Sequence, residues 1–562
     1  MMIKSSLGFR WSGAVAGLLF AAAFVSNLFA QEPSVQGGQP RFQRLTFRRG
    51  AVVNARFAPD GRTIVYSAAL DGELAKVFTT SAGSPEPHPL GFSNAFLHSI
   101  SAKGEMVVGL REIKNGTLVG ESLARVPLAG GAPLPLSNGQ LPAWVDWAPD
   151  GETLALLTSD TEGTRIEYPR GSVIWRSEND AWDLRLSPTG DALAFCELRG
   201  SSEQRVVMID RAGKVVAQAG GWSLPPFIEW MPRGCVAWAP DGKEVWFAAT
   251  RPGGKDSGLY AMTRSGEVRP VLRAPGDLSL YDIAPDGGVL LTQVDRRVTL
   301  AAQAPGEKRD RDLSWFGTSE LADLSRDGRQ VLFTDSGQEG GGWSVYLRGT
   351  DGSPAVRLGD GKALALSPDG RWALAISATD PRRLSLLPTE GGEPQVLPPA
   401  AMDIFAAQWL PGGKQLLVGG TEPGKGSRIY VMDIGGEARP VTRPGAWFFV
   451  PSPDGKRVAT WSYQGTDIYP IGGGEPRAVP GATLSEVPIQ WRADGRAIYM
   501  GRPFKGGLRI YEVDLATGKH RLWKELMPEN FVRTVKMTLD GEAYAYDARS
   551  GFSTLFLATG LR

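Results

Sequence analysis

The chain is poor in the residues that carry out chemistry. Its 562 residues include three histidines, His88, His98 and His520, and two cysteines, Cys196 and Cys235. No spacing among them forms the ligand set of a zinc or other metal site. There is no Gly-x-Ser-x-Gly elbow, no glycine-rich phosphate loop and no His-Arg-Asp or Asp-Phe-Gly signature, which removes the apparatus of triad hydrolases and of phosphoryl transfer. A Ser-x-Asp-x-Gly-x-Thr-Trp box is missing too. Charge of one sign is equally scarce. Lys and Arg number 61 against 60 Asp and Glu, a net charge of +1 without a long basic or acidic run, so nucleic acid and anionic membrane are disfavoured as main partners. No amphipathic helical stretch of convincing length occurs, and after the first 30 residues no apolar run could span a membrane. The sequence therefore reads as having no catalytic residue, no metal and no cofactor. Carboxylates are plentiful enough for two to meet in a glycosidase-like pair, but no spacing selects one.

What the chain does have is a repeat. Ala/Ser-Pro-Asp-Gly followed by a short apolar run occurs intact six times, ending at Gly61, Gly151, Gly242, Gly287, Gly370 and Gly455. Degenerate copies fill the gaps at Lys103-Gly104, Thr189-Gly190, Asp327-Gly328, Gly412-Gly413, Asp494-Gly495 and Asp540-Gly541. From Asp60 to Asp540 there are eleven steps over 480 residues, a mean period of about 44, the range of four-stranded propeller blades. Within a unit, Val145-Asp146-Trp147 leads into a turn whose Pro and Gly suit its second and fourth positions. The run Thr153 to Leu157 then reads as a buried strand. A third strand is clearest at Arg428 to Asp433. The fourth, at Ala438 to Thr442, carries a Pro that an outer strand tolerates. The repeated Asp could suggest metal ligation, but each is locked to the same Pro and Gly, as turn geometry requires. With Gly 71, Pro 41, Trp 17 and Phe 22, the composition suits an all-β chain whose blades pack through aromatic bulk.

Arg44-Leu45-Thr46-Phe47 precedes the first unit and reads as an outer strand with no blade of its own. A second such orphan, Asp312 to Phe316, follows the polar stretch 305–311. Six units lie between the orphans and six follow the second, where Thr554 to Leu557 would be a third strand lacking its fourth. The reading is therefore all-β, two tandem six-bladed β-propellers of four-stranded blades. It has a signal peptide at 1–30, linkers at 31–41 and 305–311, and propellers at 42–304 and 312–562, each expected to fold independently. A single larger ring and a seven-plus-five division are the alternatives.

Residues 1–30 carry Lys4 and Arg10, an apolar stretch from Ala14 to Val25, and Leu28-Phe29-Ala30 before polar residues. That is the form of a secretory signal cleaved after Ala30, which implies a periplasmic or secreted chain; an uncleaved membrane anchor is the alternative. An oxidising compartment permits a Cys196–Cys235 bridge, although two buried free thiols are expected.

At Phe57 to Tyr66 and Trp238 to Lys243 the unit resembles the WD40-like (PD40) repeat of the TolB propeller family, and the resemblance covers nearly all of 42–560. More narrowly, Arg44 to Ala68 and Asp323 to Arg348 resemble the C-terminal propeller region of bacterial eukaryotic-like serine/threonine kinases. That likeness implies a sensor or scaffold. Kinase activity is not implied, since a signal sequence stands where the kinase domain would be. The small α/β domain that precedes the propeller in TolB is missing as well, so a Tol-Pal role is not implied.

The functional reading is an exported, non-enzymatic binding or scaffold module for a protein, peptide or glycan, of undetermined oligomeric state. The alternative is an exported carbohydrate lyase or hydrolase with its site at a channel mouth. Candidate ligand-face residues lie where each first strand begins and the repeat breaks down: Trp144 and Asp146, Trp182 and Asp183, Phe405 and Gln408, Trp447 and Phe448, Phe531 and Arg533. Aromatics beside polar groups suit recognition, while packing between blades is the competing use.

Overall fold

The computed structural model describes residues 39–562 apart from 72, 115–116, 138–143, 161–162, 200–202, 223–233, 252–256, 275, 337–341, 378–379, 381, 423–424, 463, 505–506 and 529–530. The expected signal peptide lies outside the described residues. Among those described, the regular structure is entirely β: ten four-stranded antiparallel sheets, each in sequence order, and one six-stranded sheet.

All twelve expected turns join the first strand of a sheet to the second, and each turn glycine has positive φ, from 66° at Gly61 to 85° at Gly287. The left-handed region is open to glycine at no steric cost, which is why Gly is the fixed element of the repeat. Gly61 N–H donates to Ala58 O at 2.9 Å, and the Asp60 carboxylate accepts from the N–H groups of Arg62 and Thr63 at 2.9 and 2.8 Å. Asp150 repeats the pattern, and the Thr153 hydroxyl and backbone N–H groups hold its carboxyl down to about 2. The motif aspartates are turn residues.

First strands meet in two closed series. Gly50–Phe57, Ala95–Ile100, Trp144–Trp147, Asp180–Leu186, Val236–Trp238 and Asp277–Ile283 pack in that order, and the last returns to the first. The second series runs Glu320–Leu324, Lys362–Leu366, Asp403–Trp409, Phe448–Pro451, Val487–Trp491 and Phe531–Met537. It also returns to its start, with Gln408 Nε2 donating to Phe449 O at 3.0 Å between its third and fourth members. We call these the N-terminal and C-terminal arrays; the architecture is that of tandem β-propellers. Apolar faces of successive sheets form the core. Trp144 and Leu157 pack toward Trp182, Phe195 and Val207, and these toward Val236, Phe247 and Tyr260.

The arrays are joined by more than the 305–311 segment. Two long strands, Val289–Gln303 and Tyr544–Thr559, pair antiparallel along their whole length. Residues 289–294 are the second strand of the N-terminal array's closing sheet, whose third strand is 552–559 and whose fourth is Arg41–Arg44. The C-terminal array closes in the same way: Phe531–Met537, then 544–549, then 298–303, then Arg311–Asp312. Thr554 to Leu557, expected in the second propeller, thus belongs to the first array's sheet. Each array borrows its third closing strand from the other half of the chain, so cutting at 305–311 does not part their strands. In the fold the two strands supply each other's backbone partners through the crossing, where Ser550 Oγ accepts from Arg297 N and donates to Arg297 O, both at 3.0 Å.

The expected free thiols are likewise corrected. Cys196, on Ala192–Arg199, and Cys235, just before Val236–Trp238, form a buried disulfide with Cα atoms 6.8 Å apart. The second strand of one sheet faces the start of the next sheet's first strand, so positions 39 apart in sequence meet across the interface.

Candidate functional site

First strands run from a leading face to the face carrying the Asp-Gly turns, so each side chain's depth follows from its distance to the turn glycine. Most first strands carry a register shift in their leading half, for instance between Leu280 and Asp282 and between Leu321 and Asp323. Such a bulge re-aims the side chains around it. Five residues before the turn glycine the N-terminal array has Arg56, Ser99, Asp146, Arg185, Ala237 and Asp282. The C-terminal array has Asp323, Ala365, Gln408, Val450, Gln490 and Lys536 there.

In the N-terminal array these residues fill the axis with an ion-pair network. Arg185 Nη2 lies 2.9 Å from Asp282 Oδ1 and its Nε 3.5 Å from Asp146 Oδ2. Arg56 Nη2 is 4.0 Å from Asp183 Oδ1, and both arginines donate to Tyr281 O at 2.7 Å. The same carboxylates stitch neighbouring sheets by accepting backbone N–H groups. Asp146 takes Leu186 N at 2.9 Å, Asp183 takes Cys235 N and Val236 N, and Asp282 takes Phe57 N at 2.9 Å. Burial, then the Arg185 charge, lowers Arg56 to about 10. Burial also raises Asp146 and Asp183 against the pull of the two arginines. Arg185 loses to burial but gains more from Asp146, Asp282 and Asp183, and its pKa rises. His98 is held neutral, lowered to about 4 by burial and then by Arg111 and Arg56. Two arginines and three carboxylates thus fill this axis, and Arg56 Nε, Arg185 Nε and Asp183 Oδ1 are buried there without a hydrogen bond among the described residues.

The C-terminal array stitches its sheets with fewer charges. Asp323 accepts from Leu366 N at 2.9 Å, while Gln408 and Gln490 donate to Phe449 O and Met537 O at 3.0 and 3.1 Å. A cavity of about 210 Å³ opens on its leading face, lined by Glu320, Lys362, Phe405, Gln408, Arg533 and Lys536 among others. Four of these stand eight residues before their turn glycines, a position that reads Glu320, Lys362, Phe405, Trp447, Val487 and Arg533 around the array. The equivalent N-terminal residues among those described are Val53, Phe96, Trp182, Gly234 and Ser279, all buried. Glu320 is held by Arg533 at 3.3 Å, Lys362 at 3.6 Å and Arg549 at 3.9 Å. Arg533 also pairs with buried Asp547, which accepts Leu321 N at 2.9 Å. Lys362 Nζ sits 5.1 Å from the Trp343 ring centroid.

Beside the cavity, Phe405 packs against Trp447 in a tilted arrangement with ring centroids 5.3 Å apart, and Phe448 meets Trp461 edge-on at 5.9 Å. Trp447 and Phe448 are 37 % and 46 % exposed, whereas Trp144 and Trp182 are 4 % and 8 % exposed. The ten sequence candidates thus divide. Trp144 and Trp182 lie in the core between sheets, and Asp146 and Asp183 in the closed network. Phe405, Gln408 and Arg533 line the cavity, Trp447 and Phe448 form its aromatic rim, and Phe531 is half-buried at the start of its strand. Sequence reading passed over Glu320, Lys362 and Lys536. Counting back from each turn glycine would have found them, since their positions are shared with Phe405, Arg533 and Gln408.

No family model matches the sequence, and no curated protein does. Among solved structures the chain is similar to the tricorn protease, at 15% identity and a TM-score of 0.30, covering 88% of this chain and 56% of that one. It is similar to a putative TolB from Agrobacterium tumefaciens, at 15% identity and a TM-score of 0.24, covering 59% and 93%. A GH74 xyloglucanase from Xanthomonas campestris aligns at 13% identity and a TM-score of 0.30, covering 88% and 84%. This chain therefore spans little more than half the tricorn chain, and no residue role is transferred from any of these proteins.

Proposed function

We propose that the chain is an exported, non-enzymatic binding module of two six-bladed propellers, and that it binds a peptide segment on the leading face of the C-terminal array. The observation that carries this reading is the exposed Trp447–Phe448 pair, backed by Phe405, beside a charged cavity at the array axis. Solvent-exposed aromatics next to a concave polar site are the composition of binding hot spots. The buried disulfide supports export, because such bridges persist in oxidising compartments.

Peptide ligands selected from a random display library on the folded protein test the reading. Trp447→Ala/Phe448→Ala should weaken them by about 2 kcal/mol or more if the pair anchors the complex. Asp454→Asn, in a turn on the opposite face, should leave the affinity of the folded fraction unchanged. Ligands indifferent to the aromatic pair would remove this site.

A further inference from the structure

The cavity carries a surplus of positive charge. Lys362, Arg533 and Lys536 face Glu320 across it, and Arg549 and Asp547 stand behind as partners of Glu320 and Arg533. Four cations against two anions leave a surplus of two, and counting buried Asp323, on which Lys536 acts, still leaves one. Lys536 is the source of the imbalance. It lines the cavity without a hydrogen bond or ion pair among the described residues, whereas Lys362 approaches Glu320 at 3.6 Å. An ammonium half-withdrawn from water gains from an anionic partner. A surplus this small matches a monoanion, because a dianion would meet Glu320.

The remaining wall sets apolar side chains, Leu321, Leu364 and Phe405 among them, beside Thr334, Gln408 and Thr534. Phe405 lines the cavity and packs, tilted, against exposed Trp447, and the volume of about 210 Å³ exceeds the roughly 150 Å³ that accepts a benzene ring. We propose that this cavity binds a carboxylate attached to an apolar or aromatic group, with Lys536 pairing the anion and Phe405 and Trp447 covering the apolar part. The inference deepens the peptide-binding reading and rests on it for the aromatic wall. A free peptide C-terminus and a free arylalkyl acid share this chemistry.

Calorimetric titration of the full chain tests it with 3-phenylpropionate, 3-phenylpropionamide, inorganic phosphate, and one peptide ending in Phe prepared as acid and as amide. Each acid should bind about tenfold or more tightly than its amide, and phosphate should bind weakly. Lys536→Gln should lose about tenfold in acid affinity with an unchanged melting temperature, Lys536→Arg should retain it, and Lys362→Gln should lose less. The stronger of the two acids identifies the source. Equal binding of acid and amide, phosphate binding as tight as the acids, or full affinity in Lys536→Gln would each overturn the proposal. If display-selected peptides still require Trp447 and Phe448 while no carboxylate binds, the binding face stands and this inference falls. If carboxylates bind while selected peptides ignore the aromatic pair, the cavity stands and the wider face falls.

Discussion

The two arrays share a plan and differ in what they place on their axes. Both are built on the same turn, with glycine in the left-handed conformation, and both close through a strand lent by the other half of the chain. Five residues before that glycine, one array carries Arg56, Asp146, Arg185 and Asp282, which together with Asp183 form a buried ion-pair network. The other carries Asp323, Gln408, Gln490 and Lys536, which leave a cavity lined by an ammonium that makes no hydrogen bond or ion pair among the described residues. Eight residues before it, buried Phe96 and Trp182 correspond to Lys362 and exposed Trp447. The repeat thus sets the scaffold, and a few positions whose depth the repeat fixes, but whose identity it leaves free, decide which axis can meet a ligand.

Separating the arrays should have the largest effect. Residues 307–562 alone lack 298–303 and hold 552–559 without a sheet to join, so no cooperative unfolding transition is expected. Co-expression with residues 39–306 should restore copurification and a single cooperative melt. Separate cooperative melts of the two pieces would show the arrays to be autonomous despite the shared strands.

Next in size is the contrast between the axes. Arg185→Met leaves Asp146, Asp183 and Asp282 with Arg56 as the one remaining cation of the network and should cost about 3–5 kcal/mol in chemical denaturation. Lys536→Gln, at the open axis, should cost less than about 0.5 kcal/mol. Equal costs would erase the distinction between a closed and an open axis.

A smaller effect should appear in mild acid. With His98 lowered to about 4 in the folded chain against 6.5 unfolded, the unfolded state binds the proton first. Stability from this group is complete above the unfolded pKa and is lost as pH falls from about 6.5 toward 4. Raised Asp146 and Asp183 act in the opposite direction at lower pH. The difference between wild type and His98→Gln isolates the histidine, and should reach on the order of 2 kcal/mol at pH 5. A pH-independent difference would mean that His98 is not held neutral.

Much of this was legible in the sequence, because turn chemistry is local. Asp60, Gly61 and their eleven counterparts could be read one by one. The shared strands could not, since a strand continues through Asp295-Arg296-Arg297 only because Phe552, Gly551 and Ser550, from the far end of the chain, pair with those three residues. Trp182 and Trp447 occupy the same place in the repeat, and only the adjoining sheets bury one and expose the other. The Cys196–Cys235 bridge has the same origin in packing between sheets, which no local pattern encodes.

The decisive measurement applies the same truncation to both leading faces and follows one set of selected ligands. Trp447→Ala/Phe448→Ala alters the C-terminal array. Phe47→Ala/Leu74→Ala removes side chains that are 62 % and 51 % exposed on the N-terminal array. Affinity should fall for the first pair, by about 2 kcal/mol or more, and stay within about 0.5 kcal/mol for the second. Loss confined to the Phe47/Leu74 variant would place recognition on the array whose axis is closed and contradict the assignment of binding to the open one.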